Sequence, residues 1–308
     1  MGRFFAQRVS HLLGVLLAVS VLVFLLIHLS GDPIRLLTPL DAKPEDIERV
    51  RRLYGLDRSI PAQYWDFLRR AVRGDLGESF RFQQPAMTLV LQRLPATALL
   101  ALGAVGVTIA VGIPVGVWIG SRAGSAADWI VSLATFIFVS LPSFWLGVLL
   151  ILLFADRLRL LPSSGFESWW HLVLPALTLS VYTTGLITRL VRADVNAVLK
   201  QDFVRTARAK GLSERTVLAH HALRNAMIST VTVLGLQVGN LLGGSVVVEA
   251  VFAWPGVGWL MLQGIQTRDL PLVRAVVLVV GTAFVLINLL VDVLYLYLDP
   301  RIRYDHGR

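Results

Sequence analysis

Cysteine is absent from the 308 residues, so no disulfide can form and cysteine usage says nothing of the redox compartment. Lysine is almost absent too. A phosphate-cradling P-loop requires G-x-x-x-x-G-K-[ST], but Lys43 is followed by Pro44, Lys200 by Gln201 and Lys210 by Gly211. Any ATP consumed in this chain's work is therefore bound by another polypeptide. None of the histidines His11, His28, His171, His220, His221 and His306 forms the H-E-x-x-H pair of a zinc protease. No G-x-S-x-G nucleophile elbow occurs, and no apolar segment carries the repeated arginines of a voltage sensor. The expectation is a chain with no catalytic residue, no metal ligands and no cofactor of its own. Charge is scarce as well: 16% of residues are charged and 55% hydrophobic, against about 25% charged in an ordinary soluble domain.

The apolar residues are clustered. Six segments nearly free of charge run approximately Val9–Leu29, Thr97–Gly120, Trp129–Phe154, His171–Thr188, Ile228–Val248 and Ala275–Leu298. At about 1.5 Å per residue each crosses a hydrocarbon core of roughly 30 Å. The fourth is the weakest, interrupted by Pro175 and Gly185 and rich in threonine. The first is too long for a signal h-region and LLIHLSGDP has no small-x-small cleavage pattern, so it reads as an uncleaved helix. The fold class expected is an all-α polytopic membrane protein with six transmembrane helices.

A net charge of +9 would suit nucleic acid, but its placement argues for membrane orientation. An even number of spans puts both termini on one side, and the Lys/Arg bias makes that side the cytoplasm. Fourteen Lys/Arg then lie inside, including Arg3, Arg8, Arg122, Arg189, Arg192, Arg301, Arg303 and Arg308, against Arg157, Arg159, Arg268 and Arg274 in the short outer loops. Trp169, Trp170 and Trp254 fall near the outer boundary, and Trp118, Trp129, Tyr295 and Tyr297 near the inner one, where an aromatic belt belongs. The partner implied is a lipid bilayer, not nucleic acid.

The chain divides by this reading into a cytoplasmic tip and first helix (1–29), an external segment (30–95), a five-helix core (96–298) and a cytoplasmic tail (299–308). Within the external segment, PEDIERVRRLYG and PAQYWDFLRRAVRG each open with proline, carry apolar residues at helical spacing and stop at glycine (Gly55, Gly74), predicting two short amphipathic helices. Gly112, Gly116 and Gly120 in the second span, and Gly235, Gly239 and Gly243 in the fifth, form G-x-x-x-G ladders that permit close helix approach. Gln237 and Asn240 beside the second ladder are candidates for lining a path, because polar side chains at membrane depth face an interior or a cavity. Asp292, inside the sixth span, reads as an inter-helix hydrogen-bond or ion-pair partner.

The densest positive charge lies in the cytoplasmic loop 190–227, within FVRTARAKGLSERTVLAHHALRNA. Asp202–Lys210 reads as a short helix, Gly211 as its left-handed stop and Ser213 as the N-cap of a second helix. A helix–glycine–helix held between two spans makes a rigid protrusion; contact with lipid headgroups is the alternative use of its charge.

RTARAKG followed by HALR resembles the loop motif E-A-A-x-x-x-G-x(9)-I-x-L-P of bacterial ABC-importer permeases. Arg205, Thr206 and Ala207 stand at E-A-A, Gly211 at the glycine, and His221, Ala222, Leu223 and Arg224 at the last four positions. The departures at Glu, the first Ala, Ile and Pro are those of the dipeptide/oligopeptide/nickel branch. LIHLSGDP, YGLDRSIPAQYWDFL, GDLGESF, RLPAT, VSLPSFWLG, VVVEAVFAWPGVGWL and LYLYLDPRIR extend the likeness over nearly the whole chain, to the first of two paired permeases. The resemblance implies the type I importer permease fold in a bacterial plasma membrane, a second homologous permease, two cytoplasmic ATPases that hold ATP and Mg, and an external binding protein. It implies ATPase coupling through Asp202, Arg205, Thr206, Ala207, Arg208, Lys210, Gly211, His221 and Arg224, and peptide as substrate. Glu249, at the outer end of the fifth span, becomes a candidate for a peptide amine or a partner's arginine, with a wet interfacial cap as the alternative. The competing function is a stand-alone ion- or proton-coupled transporter, which predicts paired broken helices in two inverted halves.

Overall fold

The computed structural model describes residues 2–29, 43–53 and 57–298. Gly55, Tyr295, Tyr297 and the tail after 298 fall outside what is said below, Tyr295 and Tyr297 as side chains only. The described residues are helical apart from turns and one isolated bridge, Glu78 to Pro85. In chain order the helices are α1 (Gly2–Leu29), α2 (Pro44–Leu53), α3 (Ile60–Val72), α4 (Ala86–Gly120), α5 (Ala126–Ser140), α6 (Ser143–Arg157), α7 (Trp170–Leu199), α8 (Asp202–Ala209), α9 (214–251), α10 (Val257–Gln266) and α11 (Leu270–Leu298). Wider π-type turns interrupt α4 at Thr108–Gly112, end α6 at Ile151–Arg157 and open α9 at Val217–Ala222.

The helices α4, α7, α9 (over Ser229–Val251) and α11 (over Leu270–Val291) are each long and apolar enough to cross a bilayer. The third expected span is not one straight helix: α5 and α6 meet at an angle of 104°. The physical cause is the LP step. Leu141 and Pro142 are both extended, with ψ of 135° and 132°; proline disfavours the α conformation in the residue before it and offers no N–H. In α1 the described apolar stretch is Leu12–Leu25. Among the described residues, four helices and the bent α5–α6 pair are long and apolar enough to span, and α1 contributes a shorter apolar stretch, an arrangement compatible with the six spans expected.

The chain forms two compact units. The first comprises residues 1–95 and 256–286. Its core joins Phe24, Phe67, Leu76, Leu89, Val90, Val257, Leu260, Leu272 and Val276. Both short helices expected between the first two spans are present, α2 and α3, and the expected Gly55 stop of the first lies outside the described residues. In α3 Pro61 sits in the first turn and Gly74, at φ 81°, ends it through Gly74 N–H to Ala71 O (2.9 Å) and Asp75 N–H to Arg70 O (3.0 Å), the paired bonds of a Schellman stop. Helix α3 packs on α1 through Phe24, Tyr64 and Phe67, and Tyr64 Oη shares a 2.8 Å hydrogen bond with Ser20 Oγ. Asp269 is wholly buried: it accepts from Ser79 Oγ (2.5 Å), Arg81 N–H (3.2 Å) and Leu272 N–H (3.2 Å), capping α11 and fastening the GDLGESF turn. Arg274, read as an outer-loop charge, lies on α11 with its guanidinium 4.7 Å from the centre of the Phe67 ring.

The second unit comprises residues 96–255 and 287–308. Helix α7 is its centre: 56% of its apolar window is buried, against 28% or less for the other three straight spans. That explains its weak hydropathy. Thr178, Ser180, Thr183 and Thr188 are buried against protein, so α7 has little need of a lipid-compatible surface. The Gly112/Gly116/Gly120 ladder packs on α7; a Cβ at Gly116 would lie 2.8 Å from Thr188 O and one at Gly120 2.9 Å from Arg192 O.

Candidate functional site: a knob at the end of the central helix

Helix α8 follows α7 after Lys200 and Gln201. Gln201 is extended, Asp202 stands in the first turn, and Gly211 at φ 80° ends the helix. Gly211 N–H donates to Arg208 O (2.9 Å) and Leu212 N–H to Ala207 O (3.4 Å), a second Schellman stop. Ser213 then caps the next turn by accepting from Thr216 N–H at 3.3 Å. The guanidinium of Arg208 reaches over the glycine and grips Glu214 with two parallel bonds, Nε to Oε1 at 2.7 Å and Nη2 to Oε2 at 3.1 Å. These hydrogen bonds hold the Glu214 carboxyl below the usual carboxylate range and push the Arg208 guanidinium up.

One face of α8 is anchored. Val204 and Ala207 are buried in a core with Val195 and Val198 of α7 and Val217, Ala222 and Ala226 of α9. The opposite face is open. Asp202, Arg205, Thr206, Arg208, Lys210 and Gly211 are exposed, along with the apolar side chains of Phe203 and Leu212, each 39% accessible. Arg205 Nη1 lies 3.6 Å from Asp202 Oδ1, and Thr206 Oγ1 bonds Asp202 O at 3.0 Å. Of the residues singled out from the sequence, Ala207 therefore faces inward. Arg224 is exposed at the start of the regular part of α9, and the His221 side chain lies outside those described. Glu214 and Val204 were missed. The signal for Glu214 was an acid just beyond the glycine that ends a basic helix.

The other candidates are dispersed. Gln237 is half-buried and Asn240 exposed, joined by Asn240 Nδ2 to Gln237 Oε1 at 3.2 Å. Leu236, Asn240, Gly243, Gly244 and Val247 make an exposed strip along α9. Glu249 is not at a wet boundary: it is 0% exposed and accepts from Thr97 Oγ1 at 2.7 Å. Trp254 departs from the expected belt for the same reason. It is 1% exposed, its Nε1–H donates to Ala96 O at 2.9 Å, and Phe166 packs edge-on at 4.7 Å. Burial of the indole with a satisfied N–H outweighs its interfacial preference. Trp169, Trp170, Trp118 and Trp129 are exposed. The Asp292 side chain lies outside those described.

Four helices long and apolar enough to cross a bilayer, one of them a buried helix that runs on into a capped and stapled knob, define a multi-pass membrane protein. Residues 112–304 match the family described as binding-protein-dependent transport system inner membrane component, and residues 1–101 match its N-terminal membrane component. The chain belongs to this family, as a permease subunit of an ATP-driven importer. A putative peptide transport system permease protein of Brucella abortus (strain 2308) is 43% identical over 308 residues, covering 97% of this chain and 98% of the relative. The glutathione transport system permease protein GsiC of Pectobacterium atrosepticum is 41% identical over 305 residues (99% and 100%), and GsiC of Escherichia coli (strain K12) 42% over 299 (97% and 98%). In fold, the chain is similar to an inward-facing methionine ABC transporter, MetNI, with a TM-score of 0.58 at 23% identity over 70% of this chain and 98% of that one.

Proposed function

We propose that this chain is one of two homologous permeases that together form a translocation path for di- and oligopeptides. Two cytoplasmic ATPases, which hold ATP and Mg, drive it, and an external binding protein loads it. Similarity over essentially the full chain to permeases of peptide and glutathione systems is the observation that carries the substrate class. The knob supplies the coupling surface: α8 and the turn that follows it offer Phe203 and Leu212 for apolar seating and Arg205 and Lys210 for registering an acidic rim. Asn240, on the exposed strip of α9, lines the path with Gln237 bonded to it, while Glu249 stabilises the outer end of the unit from within. Both termini and the knob lie in the cytoplasm, with the bacterial inner membrane as location.

The test is gentle purification of the tagged chain from its own cells, followed by reconstitution with the binding protein and labelled peptides. Co-recovery of a second permease and ATPases, with uptake that requires ATP, is the expected result. A chain recovered alone, whose uptake persists without ATP, would overturn the proposal in favour of an ion-coupled carrier.

A further inference from the structure

Two polar contacts just ahead of the knob lie on opposite neighbours of the same helix. Seen from α8, Arg192 and Asp194 sit within the last turns of α7. Arg192 Nε and Nη2 bind the two carboxylate oxygens of Asp128 on α5, the latter at 2.7 Å. Asp194 accepts from Ser229 Oγ on α9. The Asp128 carboxylate is enclosed, its side chain 4% exposed, and it also accepts from Gly124 N–H at 2.9 Å and Ser132 Oγ at 3.4 Å. Its acceptor positions are thus committed within the fold, and none is left for a ligand. The adjacent backbone is closed up in the same way, since a Cβ at Gly120 would strike Arg192 O.

A hydrocarbon-lined helix contact permits sliding, because neighbouring register positions present similar surfaces. A bidentate carboxylate–guanidinium pair whose carboxylate is enclosed does not, since displacement strands the buried Asp128 charge. We infer that Asp128 and Arg192, with Ser229 and Asp194 opposite, are positioning residues that lock the inner ends of α5 and α9 to α7. Displacement of α8 is thereby transmitted to three membrane helices rather than absorbed at the α7–α8 joint. This rests on the ATP-driven reading above and deepens it: Arg192, which by composition is one more inside positive charge, becomes part of the transmission. Both acidic members, Asp128 and Asp194, lie outside every motif quoted from the sequence.

The experiment uses the complete importer in proteoliposomes, with receptor-stimulated ATP hydrolysis and peptide uptake measured together. In D128N and R192Q, hydrolysis should continue while uptake per ATP falls about tenfold, in the range of a coupling free energy between distant sites. S229A, which removes one hydroxyl, should give a smaller loss of the same kind. The wild-type chain contains no cysteine, so a D128C/R192C double variant can be bridged by a short bis-methanethiosulfonate reagent at one place in this subunit. Bridging should raise uptake per ATP and reduction should reverse it on the same protein, which a role in folding alone would not produce. Unchanged uptake per ATP in D128N, R192Q and S229A would overturn the inference, as would parallel loss of hydrolysis and uptake with no response to bridging. A wild-type importer whose uptake ignores ATP would instead sink the underlying functional reading.

Discussion

Replacing Gly116 with alanine adds one methyl group and tests whether α4 and α7 are keyed together at backbone contact. That methyl would lie 2.8 Å from both Thr188 O and Val191 Cβ and 3.0 Å from Val191 Cγ1. Ordinary contact begins at 3.4 Å, so the helices must part by about 0.6 Å. Neither 2.8 Å neighbour is the mobile end of a long side chain, so the strain cannot be relieved by a rotamer change. Overpacking of this kind costs about 1–3 kcal/mol, while exchanging glycine for alanine in a helix returns about 0.5–1 kcal/mol. Gly106, on the same helix with open space around its Cβ position, shares the return without the clash. The difference between G106A and G116A therefore isolates the packing cost, about 1–3 kcal/mol or roughly 5- to 150-fold in an unfolding equilibrium.

The assay is the midpoint of a heat challenge on the purified importer, followed by loss of the monodisperse peak. Gly112, whose nearest neighbour is Thr184 O at 3.2 Å, supplies an intermediate. The expected order is G106A at or above wild type, then G112A, then G116A and G120A together at the bottom. A G116A/G120A double variant should cost less than the two singles added, since one separation of the helices relieves both contacts. A G116A midpoint equal to that of G106A would refute the reasoning.

Gly211→Leu should uncouple ATP hydrolysis from uptake through backbone strain alone, since φ is 80° and its Cβ position is open; Gly211→Asn, which tolerates that region, should retain most coupling in the same paired assay. The Arg208–Glu214 bridge has a lowered carboxyl, so its contribution is complete above the ordinary glutamate value of about 4.3 and is lost only as pH falls through the lower folded-state value. A spin label at Leu212 should show constant mobility from about pH 7 down to that range and loosen only below it, whereas E214Q should be loose throughout. Glu249→Gln keeps an oxygen that can accept from Thr97 and should preserve peptide affinity and uptake, while Glu249→Leu should lower the heat-challenge midpoint; a selective loss of affinity in E249Q would restore Glu249 to the path.

The features legible in the sequence are those whose signals are local. Pro61, Gly74, Gly211 and Ser213 act on their own dihedrals or on an N–H a few residues away, and the helices begin and end at or near them. The break between α5 and α6 was not legible, although Pro142 was in plain view. Membrane helices often accommodate proline, as α4 does Pro95 and α7 does Pro175. Only the extended backbone at Leu141 and Pro142 distinguishes a break from a tolerated kink. The burial of Trp254 and Glu249 was not legible, because side-chain chemistry gives depth along a span but not the direction faced. Ala96 O and Thr97 Oγ1, which decide both cases, are more than 150 residues away. The Asp128–Arg192 pair, 64 residues apart, was hidden in the same way.

The weakness of the fourth span and the mechanical role proposed for the knob have one physical origin. A helix that meets lipid on most of its surface must be apolar there, and apolar contacts resist translation along the helix only weakly. Helix α7 is relieved of that demand by burial. It can therefore carry Thr178, Thr183 and Thr188 among its neighbours, accept a glycine ladder at backbone distance and end in Arg192 and Asp194. Each of these substitutes a position-specific contact for a slippery one. The helix least suited to lipid is consequently the one best held by its neighbours, and it is the one that runs on into α8. A push on Phe203 or Leu212 enters the bundle through the element that can least move alone. Had the protruding segment grown instead from a span less held within the chain, such as α11, whose apolar stretch is only 17% buried, the same push would mostly tilt a single helix.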